Sequence, residues 1–200
     1  MLPVENHSSV VIIESEDSGQ FIFSKYDPTY RIPQFRGNIN LLGGRSDTKD
    51  AGPKETLIRE VNEELCKPQE DKGFAQKRDI KQLREEIIHN AEPYFDFLII
   101  CSIEREKKVD VISCYTSKIS RAIFSNTSNQ LRDGKRFVSE GLIEIVNTGD
   151  LVSGRYMPAW ITSSIMSLYL EINLPNPHGL VGRVIGSPKN YFSEYSQYFS

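Results

Sequence analysis

The sequence predicts a single α/β sandwich, and three observations support this fold class. Short β-branched and aromatic runs alternate with segments of helical periodicity along the chain. Two hundred residues suffice for one domain whose hydrophobic core needs no disulfides. Hydrophobic residues make up 38% of the chain and charged residues 26%, as in ordinary globular proteins. The expected domain covers 1–200, with a possible insertion at 69–91 and a C-terminal extension at 173–200.

The first part of the chain predicts a hairpin, a strand and a helix. Ser9–Glu14 and Gln20–Ser24 are short apolar runs separated by a turn-forming segment, so they predict a β-hairpin. Phe35–Leu42 alternates in hydrophobicity and predicts a strand that leads into Gly43–Gly44. A helix over Pro53–Cys66 follows, because proline suits a first turn and four apolar residues recur at three- and four-residue steps: Leu57, Ile58, Val61 and Leu65.

The second part predicts further strands and helices of the same sandwich. The section after the second hairpin is expected to be irregular, with a polar loop at Ser125–Lys135. The predicted elements are a helix over Asp79–Ala91, a hairpin of Tyr94–Ile103 and Val109–Tyr115, a strand over Phe137–Val146 and an amphipathic helix over Pro158–Ile172.

Overall charge and cysteine content exclude several classes of protein. A formal charge of −3 and a pI near 5.7 exclude a globally basic nucleic-acid binder. Cys66, Cys101 and Cys114 lie in or beside apolar segments without zinc-ligand spacing, so we expect reduced, buried thiols. The first residues lack the features of a signal peptide, and no segment has the length of a membrane span. We therefore expect a cytoplasmic protein.

Three glutamates crowd the end of the predicted helix over Pro53–Cys66. Residues three and four apart share a helix face, so Glu60, Glu63 and Glu64 repel one another, and few cations lie nearby to compensate. One interpretation is a solvated helix face. The other is a site for a divalent cation, since Mg²⁺ and Mn²⁺ prefer oxygen ligands. The backbone at Gly43–Gly44 can approach such an ion closely because glycine has no side chain.

The segment Arg59-Glu60-Val61-Asn62-Glu63-Glu64 resembles the Nudix hydrolase family. The Nudix box runs G-x5-E-x7-R-E-U-x-E-E-x-G-U, where U is aliphatic, and this segment fills R-E-U-x-E-E without a gap. A glycine pair, a polar loop and a helix also come in the family's order. The resemblance implies a Nudix-type α/β/α sandwich with a mixed β-sheet.

The box has departures in its other half. The position of the first glutamate, counted back from Arg59, is Ala51, and the loop from Gly44 is one residue too long. Cys66 and Lys67 replace the closing glycine and aliphatic residue. Asp47 and Asp50 are the two candidates to replace the missing glutamate.

The resemblance also implies roles for residues. Glu60 and Glu64 would bind Mg²⁺ or Mn²⁺, with Glu63 as a further ligand or through a water, and with the carbonyl of Gly43. One of these glutamates, with Glu60 as the first candidate, would act as general base, and Arg59 would orient a carboxylate of the loop. The implied reaction is attack by water on a diphosphate that links a nucleoside to another group.

Some candidates lie outside the box. Glu140 is the first candidate for a further acidic ligand or base, and Glu104 and Glu106 are the next candidates. The alternative for Glu140 is an ordinary exposed residue. A polar and aromatic cluster precedes the box, and it either contacts phosphate and a base or forms an ordinary polar loop with aromatic packing. Its members are Lys25, Tyr26, Tyr30, Arg31 and Arg36.

Two functional alternatives remain beside the hydrolase. A Nudix domain that binds a nucleotide or a protein without hydrolysis would agree with Ala51 and the longer loop. An isoprenoid diphosphate isomerase would need a cysteine in the pocket, and nothing in the sequence places one there. The expected partner is a small nucleoside diphosphate derivative, with no nucleic acid, no membrane and a possible homodimer.

Overall fold

The computed structural model describes residues 4–17, 19–65, 73–103, 106–138, 141–159, 161–176 and 182–186. Its strands are β1 Val4–Ser15, β2 Gln20–Lys25, β3 Ile39–Asn40, β4 Leu42–Arg45, β5 Glu92–Ile103, β6 Glu106–Ile119, β7 Leu142–Asn147 and β8 Gly182–Gly186. Its α-helices are α1 Pro53–Glu64, α2 Lys77–His89, α3 Arg121–Arg132, α4 Thr148–Val152 and α5 Thr162–Leu170.

All these strands belong to one mixed sheet built around β1. One edge of β1 pairs in parallel with β6, and its other edge pairs antiparallel with β4 and then with β2. β5 pairs antiparallel with β6 and with β8, while β2 also pairs with β3 and β7. β1 therefore changes partner from β4 to β2 between Val11 and Ile13.

Helices cover both faces of the sheet, so the predicted α/β/α sandwich is confirmed. One apolar cluster joins α1, α2 and α3 to the sheet through residues such as Leu57, Leu83 and Phe124. A second cluster joins α4 and α5 to the opposite face through residues such as Leu151 and Ile165. β1 contributes to both clusters because alternate residues of a strand point to opposite faces.

The structure corrects several predicted elements. Residues 121–132, expected to be irregular, form α3, whose Phe124 and Thr127 are buried. The strand predicted over Phe35–Leu42 forms only in part, because a 3₁₀ turn at Pro33–Phe35 precedes two short strands, Ile39–Asn40 and Leu42–Arg45. The predicted first hairpin exists, but β1 and β2 pair at only two positions among the described residues, because β4 occupies the rest of that edge.

The described residues test the expectation of buried thiols and the expectation that no segment spans a membrane. Cys114 is buried and free, as expected. Cys66 lies outside the described residues, as does the side chain of Cys101. Across the described ranges, no helix combines the length and hydrophobicity needed to cross a bilayer.

Candidate active site

The three glutamates of the box lie on α1, which is anchored directly on the central strand. The hydroxyl of Ser9 on β1 donates a 2.8 Å hydrogen bond to the carbonyl of Pro53, in the first turn of α1. Leu57 and Val61 are fully buried against the sheet. The opposite side of the helix is therefore left to carry Glu60, Glu63 and Glu64.

Gly43 and Gly44 allow the backbone of β4 to lie unusually close to its neighbours. Gly43 has φ of 135°, and a Cβ there would collide with the backbone of Ser9 and Val10 on β1. A Cβ on Gly44 would collide with the carboxylate of Glu60. The glycine pair thus permits a close contact of β4 with β1 and with Glu60 on the helix, whereas the sequence predicted only a close approach to an ion.

A substitution at Gly44 tests this contact. Gly44→Ala is expected to fold, because Gly44 lies outside the left-handed region and its obstructing neighbour is a side chain that can move. If the hydrolysis implied by the Nudix resemblance takes place at this site, displacement of the Glu60 carboxylate should weaken it by about 10- to 100-fold, the range seen when groups that orient metal ligands are lost. Steady-state kinetics with a thermal melt measures both effects, and full activity in Gly44→Ala would contradict the assigned contact.

Asp50, rather than Asp47, pairs with Arg59 in the loop before α1. Nε and Nη2 of Arg59 donate to the two carboxylate oxygens of Asp50 at 3.1 and 3.0 Å. Asp50 also accepts from the hydroxyl of Thr56 at 2.9 Å and from the backbone N–H of Asp47 at 2.8 Å. These contacts hold the pKa of the Asp50 carboxyl down at about 2, chiefly through the Arg59 hydrogen bonds. The longer loop therefore supplies the carboxylate of Asp50 next to Ala51, the position at which the box glutamate is missing.

Arg59 links the loop to the acidic face of α1. Its Nη1 donates to Glu60 at 2.8 Å and to Glu63 at 3.3 Å, and its Nη2 donates to the carbonyl of Arg45 at 2.6 Å. Hydrogen bonds to Asp50 and Glu60 raise the pKa of Arg59. Arg59 is thus a fixed cation that contacts three carboxylates, those of Asp50, Glu60 and Glu63.

The glutamates differ in exposure. The side chain of Glu63 is 61% exposed and that of Glu60 is 16% exposed. Glu64 accepts a 3.2 Å hydrogen bond from the backbone N–H of Gly43, and loss of hydration raises the pKa of its carboxyl to about 8. Burial also raises the pKa of Glu60, against the opposing effect of Arg59. Two poorly hydrated carboxylates therefore lie next to each other.

The glutamates face a cavity of about 420 Å³, which we call the acidic cavity. Ligand pockets are typically about 300–1,000 Å³, so this volume suits a small molecule. Among the described residues that line it, four carry carboxylates and Lys25 carries the positive charge. Lys25 itself is paired with Glu144 at 2.7 Å. The lining residues are Ser24, Lys25, Tyr26, Asp27, Tyr30, Glu60, Glu63, Glu64, Val138 and Gly141.

The structure brings only part of the predicted set together. Lys25, Tyr26 and Tyr30 line the acidic cavity, whereas the Nε of Arg36 is bonded to the carbonyl of Tyr30 and Arg31 lies in an outer depression. Glu140, Glu104 and the side chain of Glu106 lie outside the described residues. Within the described part of the chain, no three acidic, histidine or cysteine side chains converge as a preformed metal cluster, since Glu60 turns towards Arg59.

Two acidic residues were missed by the sequence analysis: Asp27, which lines the acidic cavity, and Glu144, which pairs with the lining residue Lys25. Asp27 lies in the turn after β2, and Glu144 lies on β7 among apolar residues. Glu144 faces Lys25 diagonally, because Phe23 pairs with Glu144 and Lys25 pairs with Leu142. An acidic residue inside an apolar strand was the available signal, but its partner depends on the strand register.

Comparison with known proteins gives matches among solved structures alone. No protein-family profile and no curated sequence matches the chain. Shewanella oneidensis NrtR is 14% identical over 84% of this chain and 63% of its own, with a TM-score of 0.51. The NUDIX domain of the same protein, complexed with ADP ribose, is 14% identical over 86% of this chain and 88% of its own, with a TM-score of 0.47.

A further structure is a bifunctional NMN adenylyltransferase/ADP ribose pyrophosphatase from Francisella tularensis with AMP and a Mn ion. It is 10% identical over 86% of this chain and 42% of its own, with a TM-score of 0.46. The present chain thus spans less than two thirds of either full-length protein.

Fold and site together define an α/β/α sandwich whose glycine pair, Asp50–Arg59 ion pair and glutamate helix border an acidic cavity. Shewanella oneidensis NrtR contains a NUDIX domain. The similarity of this chain to NrtR at a TM-score of 0.51 identifies the Nudix fold. The resemblance carried by Arg59–Glu64 is therefore confirmed at the level of the fold.

One prediction about partners is wrong. We expected no nucleic-acid partner, but Shewanella oneidensis NrtR has been crystallised with a 27mer DNA. That structure is 15% identical over 83% of this chain and 60% of its own, with a TM-score of 0.48. A protein that contains a NUDIX domain has therefore been crystallised with DNA.

Proposed function

We propose that the protein is a Mg²⁺- or Mn²⁺-dependent hydrolase that cleaves the diphosphate bond of a nucleoside diphosphate linked to another group. The observation that carries this proposal is the acidic cavity, in which Glu60, Glu63 and Glu64 line a space large enough for a small ligand. A solvated helix face would not place Glu60 and Glu64 in poorly hydrated positions.

The residues of the cavity fit a divalent cation. Its lining is predominantly anionic, and Lys25 is already paired with Glu144, so a diphosphate alone would be repelled. Glu60, Glu64 and the carbonyl of Gly43 are the oxygen donors that would hold the ion, with Glu63 as a further ligand. When bound, such an ion polarises phosphoryl oxygens and lowers the pKa of a coordinated water.

The protein's own residues would position and activate the reactants. Glu60 would accept the proton of the attacking water, since its pKa is raised by burial towards the range useful for a base. Arg59 does not touch the ligand in this proposal. It holds Glu60 and Asp50 in fixed orientations, and Gly43 holds Glu64.

The experiment is a phosphate-release screen over nucleoside triphosphates, nucleotide sugars, ADP-ribose and dinucleoside polyphosphates. Each substrate is tested with Mg²⁺, with Mn²⁺ and with EDTA. We expect hydrolysis of at least one diphosphate with either ion and loss of that activity in EDTA. Tight nucleotide binding without turnover of any substrate would contradict the proposal and support a nucleotide-sensing module instead.

A further inference from the structure

Two tyrosines line the acidic cavity together with the glutamates of the Nudix box. The rings of Tyr26 and Tyr30 are stacked, with centroids 4.0 Å apart and an interplanar angle of 21°. Both rings belong to the connection between β2 and β3, and both line the cavity that Glu60 and Glu64 also line. The two tyrosine rings and the glutamate carboxylates therefore line the same cavity of about 420 Å³.

Tyr26 is held by contacts to its hydroxyl and to its ring. Its hydroxyl accepts a 3.1 Å hydrogen bond from the side chain of Asn40, which in turn accepts one of 2.7 Å from Thr162 on α5. The ring of Tyr26 also contacts the ring of the buried Phe35, with the two centroids 6.3 Å apart. Tyr26 is thus a fixed support for Tyr30.

The loop that carries Tyr30 is held by local hydrogen bonds. The carboxylate of Asp27 accepts from the backbone N–H and the hydroxyl of Thr29, each at 2.6 Å. The backbone N–H of Tyr30 donates to the carbonyl of Asp27, and the Nε of Arg36 donates to the carbonyl of Tyr30 at 2.9 Å. A ring held in this way loses little conformational entropy when a ligand binds.

Tyr30 is partly buried, as is Tyr26. It borders the acidic cavity and also the outer depression formed with Asp27, Thr29 and Arg31. One face of its ring is covered by Tyr26, and the ring remains accessible to the cavity. A planar, uncharged group fits such a surface, because aromatic faces attract other aromatic rings at stacking distance.

We propose that Tyr30, supported by Tyr26, is the surface on which the base of a nucleotide stacks in the acidic cavity. The proposal rests on the proposed function for the phosphate end of the ligand, which would lie at the glutamates. The base is thus the part of the substrate that the Nudix box does not recognise. Stacking accepts every base, so this surface selects a nucleotide over a simple sugar phosphate rather than one base over another.

The test is calorimetric binding of the four nucleoside monophosphates and of ribose 5-phosphate, which lacks a base, all in Mg²⁺. The wild-type protein should bind at least one nucleotide about tenfold more tightly than ribose 5-phosphate. Tyr30→Ala should weaken nucleotide binding about tenfold or more and leave ribose 5-phosphate binding unchanged, whereas Tyr30→Phe keeps the ring and should remain within about twofold of wild type. Tyr94→Ala, a change at an exposed tyrosine on β5, is the matched control and should have no effect.

Two results would overturn the inference. One is a wild-type protein that binds no nucleotide more tightly than ribose 5-phosphate; the other is unchanged nucleotide binding in Tyr30→Ala. The hydrolase proposal fails separately. If nucleotide binding depends on Tyr30 but no substrate is turned over, the hydrolase proposal is wrong and the stacking proposal stands. If a substrate is turned over but nucleotide binding does not depend on Tyr30, the stacking proposal is wrong and the hydrolase proposal stands.

Discussion

Glu64→Gln is expected to lower kcat by at least about 10²-fold while leaving the fold intact. Glutamine has nearly the same shape, and its carbonyl oxygen can still accept the hydrogen bond from the backbone N–H of Gly43. What it cannot supply is the negative charge that a divalent cation requires. The measurement is steady-state kinetics on the substrate found in the phosphate-release screen. Glu55→Gln, an exposed change in the first turn of the same helix, is the matched control and should retain activity.

Glu64→Gln also has a readout that does not depend on turnover. Ions that bind the folded state raise its stability by mass action, by about 2.7 kcal/mol at a concentration 100 times the Kd. The melting temperature of the wild type and of Glu55→Gln should therefore rise with added Mn²⁺, and that of Glu64→Gln should rise much less. Equal stabilisation of all three proteins by Mn²⁺, or full activity in Glu64→Gln, would remove Glu64 from the site.

The pH dependence of stability gives a third signature of Glu64. Its carboxyl has a pKa of about 8 in the folded protein against 4.5 as the ordinary value. A carboxyl with a raised folded-state pKa favours the fold while protonated, so its effect turns unfavourable as pH rises between those two values. In EDTA, raising the pH from 6 to 8 should lower the stability of the wild type more than that of Glu64→Gln.

Asp50→Asn is expected to lower both stability and activity, because Arg59 loses its anionic partner. The change removes charge-assisted hydrogen bonds from a side chain that is 7% exposed, each worth about 1.5–3 kcal/mol. For a protein of this length, each kcal/mol corresponds to a fall of about 2–4 °C in the melting temperature. Because Arg59 also contacts Glu60, we expect about 10- to 100-fold lower activity.

Asp47→Asn is the matched control for Asp50→Asn. The carboxylate of Asp47 accepts from the backbone N–H of Lys49 and the hydroxyl of Thr48, and an asparagine oxygen can make the same bonds. Its melting temperature and activity should stay close to wild type. If Asp47→Asn lost as much activity as Asp50→Asn, the assignment of Asp50 as the loop carboxylate would be wrong.

The elements near the site were predicted well because their local patterns are strong. The helix that carries the glutamates begins at Pro53 as expected, and the hairpin of β5 and β6 is confirmed. In contrast, α3 was missed, because its serines, asparagines and threonine form helices poorly. That helix is stabilised instead by burying Phe124 in the apolar cluster that α3 shares with α2 and the sheet, which a local pattern does not reveal.

Packing also changed the expected apolar face of α1. Leu57, Val61 and Leu65 are buried as predicted, but Ile58 is only partly buried. Thr56 is fully buried in addition, where its hydroxyl donates to Asp50. A small polar residue became part of the buried face because the loop before the helix folds back over it.

The sequence by itself determined the chemistry that is available: three glutamates on one helix face, an arginine before them and a glycine pair upstream. Helical periodicity is local, so it places those groups on one surface without knowledge of the fold. Only the tertiary structure decided that Asp50 rather than Asp47 meets Arg59, and that Tyr26 and Tyr30 border the same cavity as the glutamates. Those contacts depend on loop conformation and strand pairing, which bring together residues distant in sequence.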